Sequence, residues 1–273
     1  MTNAGLHLVP VYGLCNRLRA IASASEIAKR NKIPFKVYWI RNEGLNVDFK
    51  KLFRPLEFGV VKDVDCEPFI MKTANKQNLY LPRIYRSLSK DSIWNEFEAE
   101  QYNREKFSFE SYFESHKRLW LRSYNFLEGN HSDFSIFKPV KSLEKRIKNE
   151  TSLFSLKTIG VHIRRSDHRQ SKEHSPLQLF IAKMNRELDM DSTLSFYVVS
   201  DDREVKLKLS GIFGDKVLTN YKNAERFSSE GMKQALVELY ALSQTSKIFG
   251  SYWSSFSQVA AAINERPLEI IKI

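Results

Sequence analysis

Four short clusters in this 273-residue chain combine residue types that do chemistry. The first is Val161-His162-Ile163-Arg164-Arg165-Ser166-Asp167. Side chains alternate across a strand, so His162 and Arg164 share one face while Arg165 points to the other. An Arg165–Asp167 ion pair at the strand end is the simplest structural use of those two. It leaves Arg164 beside His162, and a planar, permanently charged guanidinium binds phosphate oxygens in a bidentate fork. Arg164 therefore reads as an anion ligand, with Arg165 as a further candidate. The second cluster, Val199-Ser200-Asp201-Asp202, puts two carboxylates at a strand end, where they could bind a metal, hold ribose hydroxyls or cap the next helix. Asp202 reads as the cap and Asp201 stays open.

The third cluster joins Glu238, alone among the apolar residues of Leu236–Leu242, to Gly250-Ser251-Tyr252-Trp253-Ser254-Ser255-Phe256-Ser257. A buried carboxylate is costly unless it meets donors, and the paired N–H groups of a guanine are one set that would satisfy it. The serines open a helix, where hydroxyls and free backbone N–H groups converge as in a phosphate cradle. The fourth cluster is Tyr12-Gly13-Leu14-Cys15-Asn16-Arg17. Gly13 stands between a strand and a helix, the helix start offers N–H groups at Leu14 and Cys15, and Asn16 and Arg17 add donors suited to a diphosphate. A tight turn capped by Asn16 explains the same residues. The pattern is neither a dinucleotide GxGxxG nor a P-loop, since no Gly-Lys-Ser/Thr follows.

These clusters need elements to hold them. Leu6–Tyr12 reads as a strand, Asn16–Lys29 as a helix with apolar residues at helical spacing, and Pro34–Ile40 as a second strand, together a βαβ unit with a parallel pair. From 42 to 140 aromatic clusters alternate with polar stretches and yield no topology. Lys141–Leu153 reads as an amphipathic helix with Leu143, Ile147 and Leu153 on one face. Strands follow at Thr158–Arg164, Leu194–Ser200, Lys216–Thr219, Lys247–Gly250 and Leu268–Ile273. Helices lie between them: one opened by Ser175 as N-cap and Pro176 at its first position, then Asp202–Phe213, Glu230–Ser246 and Ser254–Asn264. This is a doubly wound α/β pattern, and such sheets bind ligands at the carboxyl ends of their strands. The length suggests two domains, drawn at 1–150 and 151–273.

The composition, 42% hydrophobic and 27% charged, excludes a disordered chain. No run approaches the roughly 20 apolar residues of a membrane span, and no basic segment precedes an apolar run as in a signal peptide, so the cytoplasm is the expected location. Cys15 and Cys66 then read as free thiols. Two Cys and scattered His offer no zinc-ligand spacing, and no metal is expected. The net charge of +11 falls mostly in the first 150 residues. It suits a phosphorylated small molecule or an anionic membrane face. No helix-turn-helix, ribonucleoprotein or zinc-finger signature supports nucleic acid.

Taken in order, His-x-Arg-Arg-x-Asp, Ser-Asp-Asp, an acidic helix ending Leu-Ser and Gly-Ser-x-x-Ser-Ser-Phe-Ser resemble the three-motif core of the GDP-fucose fucosyltransferases: α-1,6-, nodulation and protein O-fucosyltransferases. The opening Gly-Leu-Cys-Asn-Arg-Leu-Arg resembles their first loop, with Cys15 where glycine is usual. The resemblance covers residues 6–30 and 158–263. It implies a GT-B architecture, two Rossmann-like domains facing a cleft, with the C-terminal one holding the nucleotide sugar. It implies an inverting, metal-independent transferase with no cofactor beyond its GDP-fucose donor. By position it puts Arg164 on the β-phosphate, His162 and Glu238 at guanine, and Ser254, Ser255 and Ser257 around Phe256 at the phosphate-binding helix start. Asn16 reaches in from the first loop. Glu173 is the best-placed carboxylate for a general base, one position from where the α-1,6 enzymes carry theirs; an exposed loop glutamate is the competing reading. The first domain, basic and aromatic, is the expected acceptor side, for a glycan that is free or lipid-linked. A transferase using another nucleotide sugar and a non-catalytic nucleotide- or glycan-binding module remain open.

Overall fold

Alternating apolar residues build the first strand, β1 (Gly5–Pro10), and α1 (Leu14–Arg30) returns the chain to β2 (Phe35–Ile40) in parallel, with Leu6 opposite Phe35 and Leu8 opposite Val37. The computed structural model describes residues 4–89, 91–104, 107–115, 118–128, 132–165, 169–222 and 227–273. The chain divides into two units, Met1–Val140 and Lys141–Ile273.

In the first unit the segment without a readable topology supplies three more strands, β3 (Val60–Val64), β4 (Ser92–Trp94) and β5 (Arg118–Ser123). It also carries α2 (Leu81–Ser89), α3 (Glu96–Arg104) and α4 (Phe109–Ser115). All five strands are parallel, in the order β3-β2-β1-β5-β4. Leu6, Leu8, Leu18, Ile21 and Ile27 are wholly buried between α1 and the sheet side, as the alternation of β1 and the helical spacing of α1 require.

The second unit runs α5 (Lys141–Glu150), β6 (Thr158–Ile163), α6 (Arg169–His174), α7 (Leu177–Met190), β7 (Ser195–Ser200), α8 (Arg203–Phe213) and β8 (Val217–Leu218). It closes with α9 (Ser229–Ser243), β9 (Ile248–Ser251), α10 (Ser255–Ile263) and β10 (Leu268–Ile271). Its parallel order, β10-β9-β6-β7-β8, reverses direction between β6 and β9. That is the switch point at which doubly wound sheets open a ligand crevice. On one face Ile159, Val161 and Ile163 pack with Phe180 and Met184 of α7 and Val205, Leu209 and Phe213 of α8. On the other, α9 and α10 lie so close that glycine is obligatory twice. A Cβ at Gly160 would stand 2.6 Å from both Leu242 and Thr245, and one at Gly250 would stand 2.5 Å from the Ser257 hydroxyl.

Two expectations change here. Leu143 and Ile147 are buried but Leu153 is 76% exposed, because α5 ends at Glu150 before the periodicity reaches it. The helix is tied to α9 by Arg146, whose guanidinium bonds Glu230 and Gln234, so it belongs to the second unit. Ser175 is not an N-cap: Pro176 holds that position on α7 without a side-chain bond. The Ser175 hydroxyl instead donates to the Ile271 carbonyl and accepts from the Tyr252 N–H, stitching β10 to the loop after β9. Both cysteines are free, Cys15 buried and Cys66 exposed.

Candidate functional site

The carboxyl ends of β6, β7 and β9 converge on one polar cluster. Where β6 stops, the Arg164 N–H donates to the Ser251 hydroxyl of β9 at 3.0 Å, and that hydroxyl reaches the His162 carbonyl at 3.3 Å. Asp201, just past β7, divides its carboxylate: one oxygen accepts the Arg165 N–H at 2.7 Å, the other meets the Arg164 guanidinium at 2.7 Å. The Asp201 side chain thus fixes both the backbone turn and the direction of Arg164. Arg165 turns away and bonds the carbonyls of Arg164 and Ser175 at 3.0 and 2.8 Å. Burial lowers its pKa, against the pull of Asp201 and Asp202. It anchors the loop rather than offering its fork to a ligand. Asp167, its expected partner, lies outside the described residues. Asp202 caps α8, accepting the Glu204 N–H at 2.9 Å.

His162 is nearly buried and stacked on Phe256 of α10, ring centroids 4.7 Å apart. Burial lowers its pKa to about 3, with Arg164 adding to the shift and Asp201 opposing it. The ring is therefore neutral at neutral pH, and its Nδ1 has no hydrogen-bond partner. A buried ring nitrogen without a partner costs free energy that a ligand group can recover.

The start of α10 completes the cluster. Asp202 and Ser228 cap α8 and α9 with their own side chains, Ser228 accepting from the Gly231 N–H. Ser254 occupies the same position on α10, yet its hydroxyl bonds no backbone N–H. The first-turn N–H groups at Ser255, Phe256 and Ser257 are donors at the positive end of the helix dipole. Just before them Trp253 is exposed with φ +57°, a left-handed conformation that is strained for a bulky residue. Ser171 and Ser175 hold this loop through the Tyr252 carbonyl and N–H, at 2.6 and 2.8 Å.

The opening loop behaves differently from its sequence reading. Gly13 has an ordinary φ of −73° and nothing within 4 Å of where a Cβ would stand, so the space before it is open. Leu14 and Cys15 point into the core. The Asn16 side chain accepts from Arg19 at 2.8 Å. Arg17 is a correction: it is wholly buried and its guanidinium bonds the carbonyls of Tyr12 and Ile40 and the side chain of Asn42. It also lies over the Trp39 ring at 5.0 Å, and burial lowers its pKa to about 10. It pins the loop, leaving exposed Tyr12 at φ +64°, edge-on to Tyr124 at 5.1 Å.

Glu238 is the second correction. Its carboxylate is buried as expected, but Lys206 of α8 supplies the donor at 3.0 Å, with both side chains 3% exposed. Burial raises the Glu238 pKa and Lys206 pulls it back. A guanine is not needed to explain this carboxylate. Glu173 sits exposed on α6, paired with Arg169 at 2.6 Å rather than with the Arg164 cluster. Sequence reasoning missed Ser171 and Lys206 and gave Ser251 and Ser175 no long-range role. No local signal marks these ties, because each bonds a partner 32 or more positions away. Among the described residues no group of three or more His, Cys, Asp or Glu side chains is placed to hold a metal ion, and no helix is long and apolar enough to cross a membrane.

No family model and no curated protein matches the chain. Solved structures do. The NodZ α-1,6-fucosyltransferase soaked with GDP-fucose is 18% identical, with 95% of this chain and 92% of that one covered and a TM-score of 0.61; the enzyme is also solved from Bradyrhizobium. A variant of Arabidopsis thaliana FUT1 in complex with GDP is 16% identical, covers 97% of this chain and 70% of that one, and has a TM-score of 0.63. POFUT1 in complex with GDP is 10% identical over 100% of this chain and 99% of that one, with a TM-score of 0.58. These likenesses establish the fold: two doubly wound α/β units, as in the GT-B fucosyltransferases.

Proposed function

We propose that the chain is an inverting glycosyltransferase that moves fucose from GDP-fucose to a glycan hydroxyl in the cytoplasm, without a metal ion. One observation carries this reading. The bare first turn of α10 lies at the switch point, where β9's Ser251 holds the Arg164 backbone and Asp201 aims the Arg164 guanidinium. Backbone donors, a helix dipole and a fixed cation at a strand-end crevice suit a diphosphate. NodZ, FUT1 and POFUT1 carry GDP or GDP-fucose on the same fold, which supports that choice of donor.

In the reaction the acceptor oxygen attacks the anomeric carbon of fucose as its bond to the β-phosphate oxygen breaks. The bonding pair stays on the phosphate, and the acceptor proton passes to a base, for which Glu173 is the candidate once released from Arg169. The transition state resembles an oxocarbenium ion. Negative charge grows on the departing phosphate, so Arg164 and the α10 N–H groups act where charge develops. One preorganised donor of this kind is worth roughly 2.7–4 kcal/mol. His162, neutral and stacked on Phe256, is the candidate for a contact with the guanine ring.

The Lys206–Glu238 pair favours a second reading, transfer from another nucleotide sugar, because it removes the carboxylate that would have selected guanine. Calorimetry with GDP-fucose, GDP-mannose and UDP-glucose, followed by transfer assays on a glycan array in excess chelator, separates them. GDP-fucose binding and chelator-resistant fucosylation are expected. Preference for a UDP-sugar, or binding without turnover on any acceptor, would overturn the proposal, and loss of activity restored by Mn²⁺ would overturn its metal independence.

A further inference from the structure

The helix α2 is built inside out. Its sequence, Leu-Pro-Arg-Ile-Tyr-Arg-Ser-Leu-Ser, carries Leu81, Ile84, Tyr85 and Leu88 at the i, i+3, i+4, i+7 spacing of one helical face. In an ordinary surface helix that stripe turns to the core. Here it turns to water: Leu88 is 77% exposed and the other three about half exposed, while the opposite side buries Pro82 and half-buries Arg86 and Ser89. The orientation is held by polar contacts, the Arg86 guanidinium donating to the Lys72 carbonyl. Phe69 meets Tyr85 edge-on at 5.9 Å and is itself exposed. Leading into the helix, Leu79 and Tyr80 both take left-handed backbone, φ +52° and +55°. That strained turn leaves Leu79 72% exposed. Single exposed apolar residues are ordinary, but exposed apolar residues grouped on one helical face mark an interaction surface.

Charge says what covers it. Between Glu67 and Asp91 the chain has Lys72, Lys76, Arg83, Arg86 and Lys90 and no acidic residue. Two copies of this chain meeting face to face would oppose like charges. An anionic lipid surface satisfies both halves of the pattern: apolar side chains enter the headgroup boundary while lysines and arginines meet the phosphates. We propose that residues 69–88 dock the protein on an anionic bilayer, with α2 lying in the membrane plane. The inference does not depend on the donor, and it stands whether or not the chain transfers fucose.

The test is sedimentation of the full chain with vesicles of phosphatidylcholine alone or mixed with phosphatidylglycerol. Wild type should pellet with the mixed vesicles and stay in solution with the neutral ones. Binding should weaken with salt, as the Debye length falls from about 10 Å at 0.1 M to about 3 Å at 1 M. Ile84→Asp/Leu88→Asp, both exposed, should lower partitioning on the order of tenfold with an unchanged melting temperature, and Arg83→Gln should weaken binding to the mixed vesicles and reduce its dependence on salt. Wild type that ignores both kinds of vesicle, or a double variant that binds as well as wild type, would overturn the proposal. So would lipid-free dimers, seen by sedimentation velocity, that the double variant abolishes.

Discussion

Acid should loosen the second unit through one buried ring. His162 is almost wholly buried against Phe256, and burial lowers its pKa from 6.5 to about 3. In the unfolded chain the imidazole titrates near its ordinary 6.5. Between those values the unfolded chain holds a proton that the folded one lacks. The stability that depends on a neutral ring is complete above pH 6.5 and is lost progressively as the pH falls towards 3. The loss approaches about 1.4 kcal/mol per pH unit, so at pH 5 it reaches about 2 kcal/mol. Arg164 steepens the effect and Asp201 softens it. His162→Gln keeps a neutral polar side chain and removes the titration, while carboxylates other than Asp201 stay common to both proteins. Urea unfolding of wild type and variant, followed by far-ultraviolet circular dichroism from pH 5 to 7.5, isolates the difference. It should change by about 2 kcal/mol across that range. A difference constant to within about 0.5 kcal/mol, the usual additivity error, would refute the assignment of a buried neutral ring.

Other substitutions probe the remaining parts. Arg164→Ala should lower kcat for fucosyl transfer by about 10² to 10³ with the melting temperature preserved, and activity within a few-fold of wild type would contradict its role at the phosphate. Glu173→Gln should slow turnover, on the order of 10² or more, while calorimetry shows GDP binding unchanged; full turnover would move the base elsewhere. Lys206→Met strands the Glu238 carboxylate and should cost about 3–5 kcal/mol in urea unfolding, a loss that Glu238→Gln in the same chain partly reverses. Gly160→Ala drives a methyl into Leu242 and Thr245 and should cost about 1–3 kcal/mol, read as a lower melting temperature.

The second unit was legible because its strands are short apolar runs bounded by glycine or charge, and α8 and α9 open on side-chain caps. Boundaries at β6, β7, α8, β9 and α10 fall within a residue or two of the sequence reading. The first unit hid its sheet for a physical reason. β4 is three residues long, β3 is half exposed, and β5 holds only three consecutive apolar residues between Arg118 and Arg122, so no sustained periodicity announces them. Residue type and position singled out Arg164, Asp201, His162 and Ser254, which the fold places at strand ends and a helix start. They could not show which polar groups the fold itself would satisfy. Arg17 and Glu238 look like ligand residues in the sequence, and only Ile40, Asn42 and Lys206, brought in by the tertiary fold, reveal them as internal ties.

Under the proposed function, the uncapped start of α10 makes the protein a reporter of its own occupancy. Helices α8 and α9 carry side-chain locks on their first turns, so their opening depends on the fold alone. The amides at 255–257 have no such lock and no intrahelical partner, so a bound anion would be what slows their exchange with solvent. Deuterium uptake at that one turn would then read donor concentration directly, with the two locked helices as internal references in the same molecule.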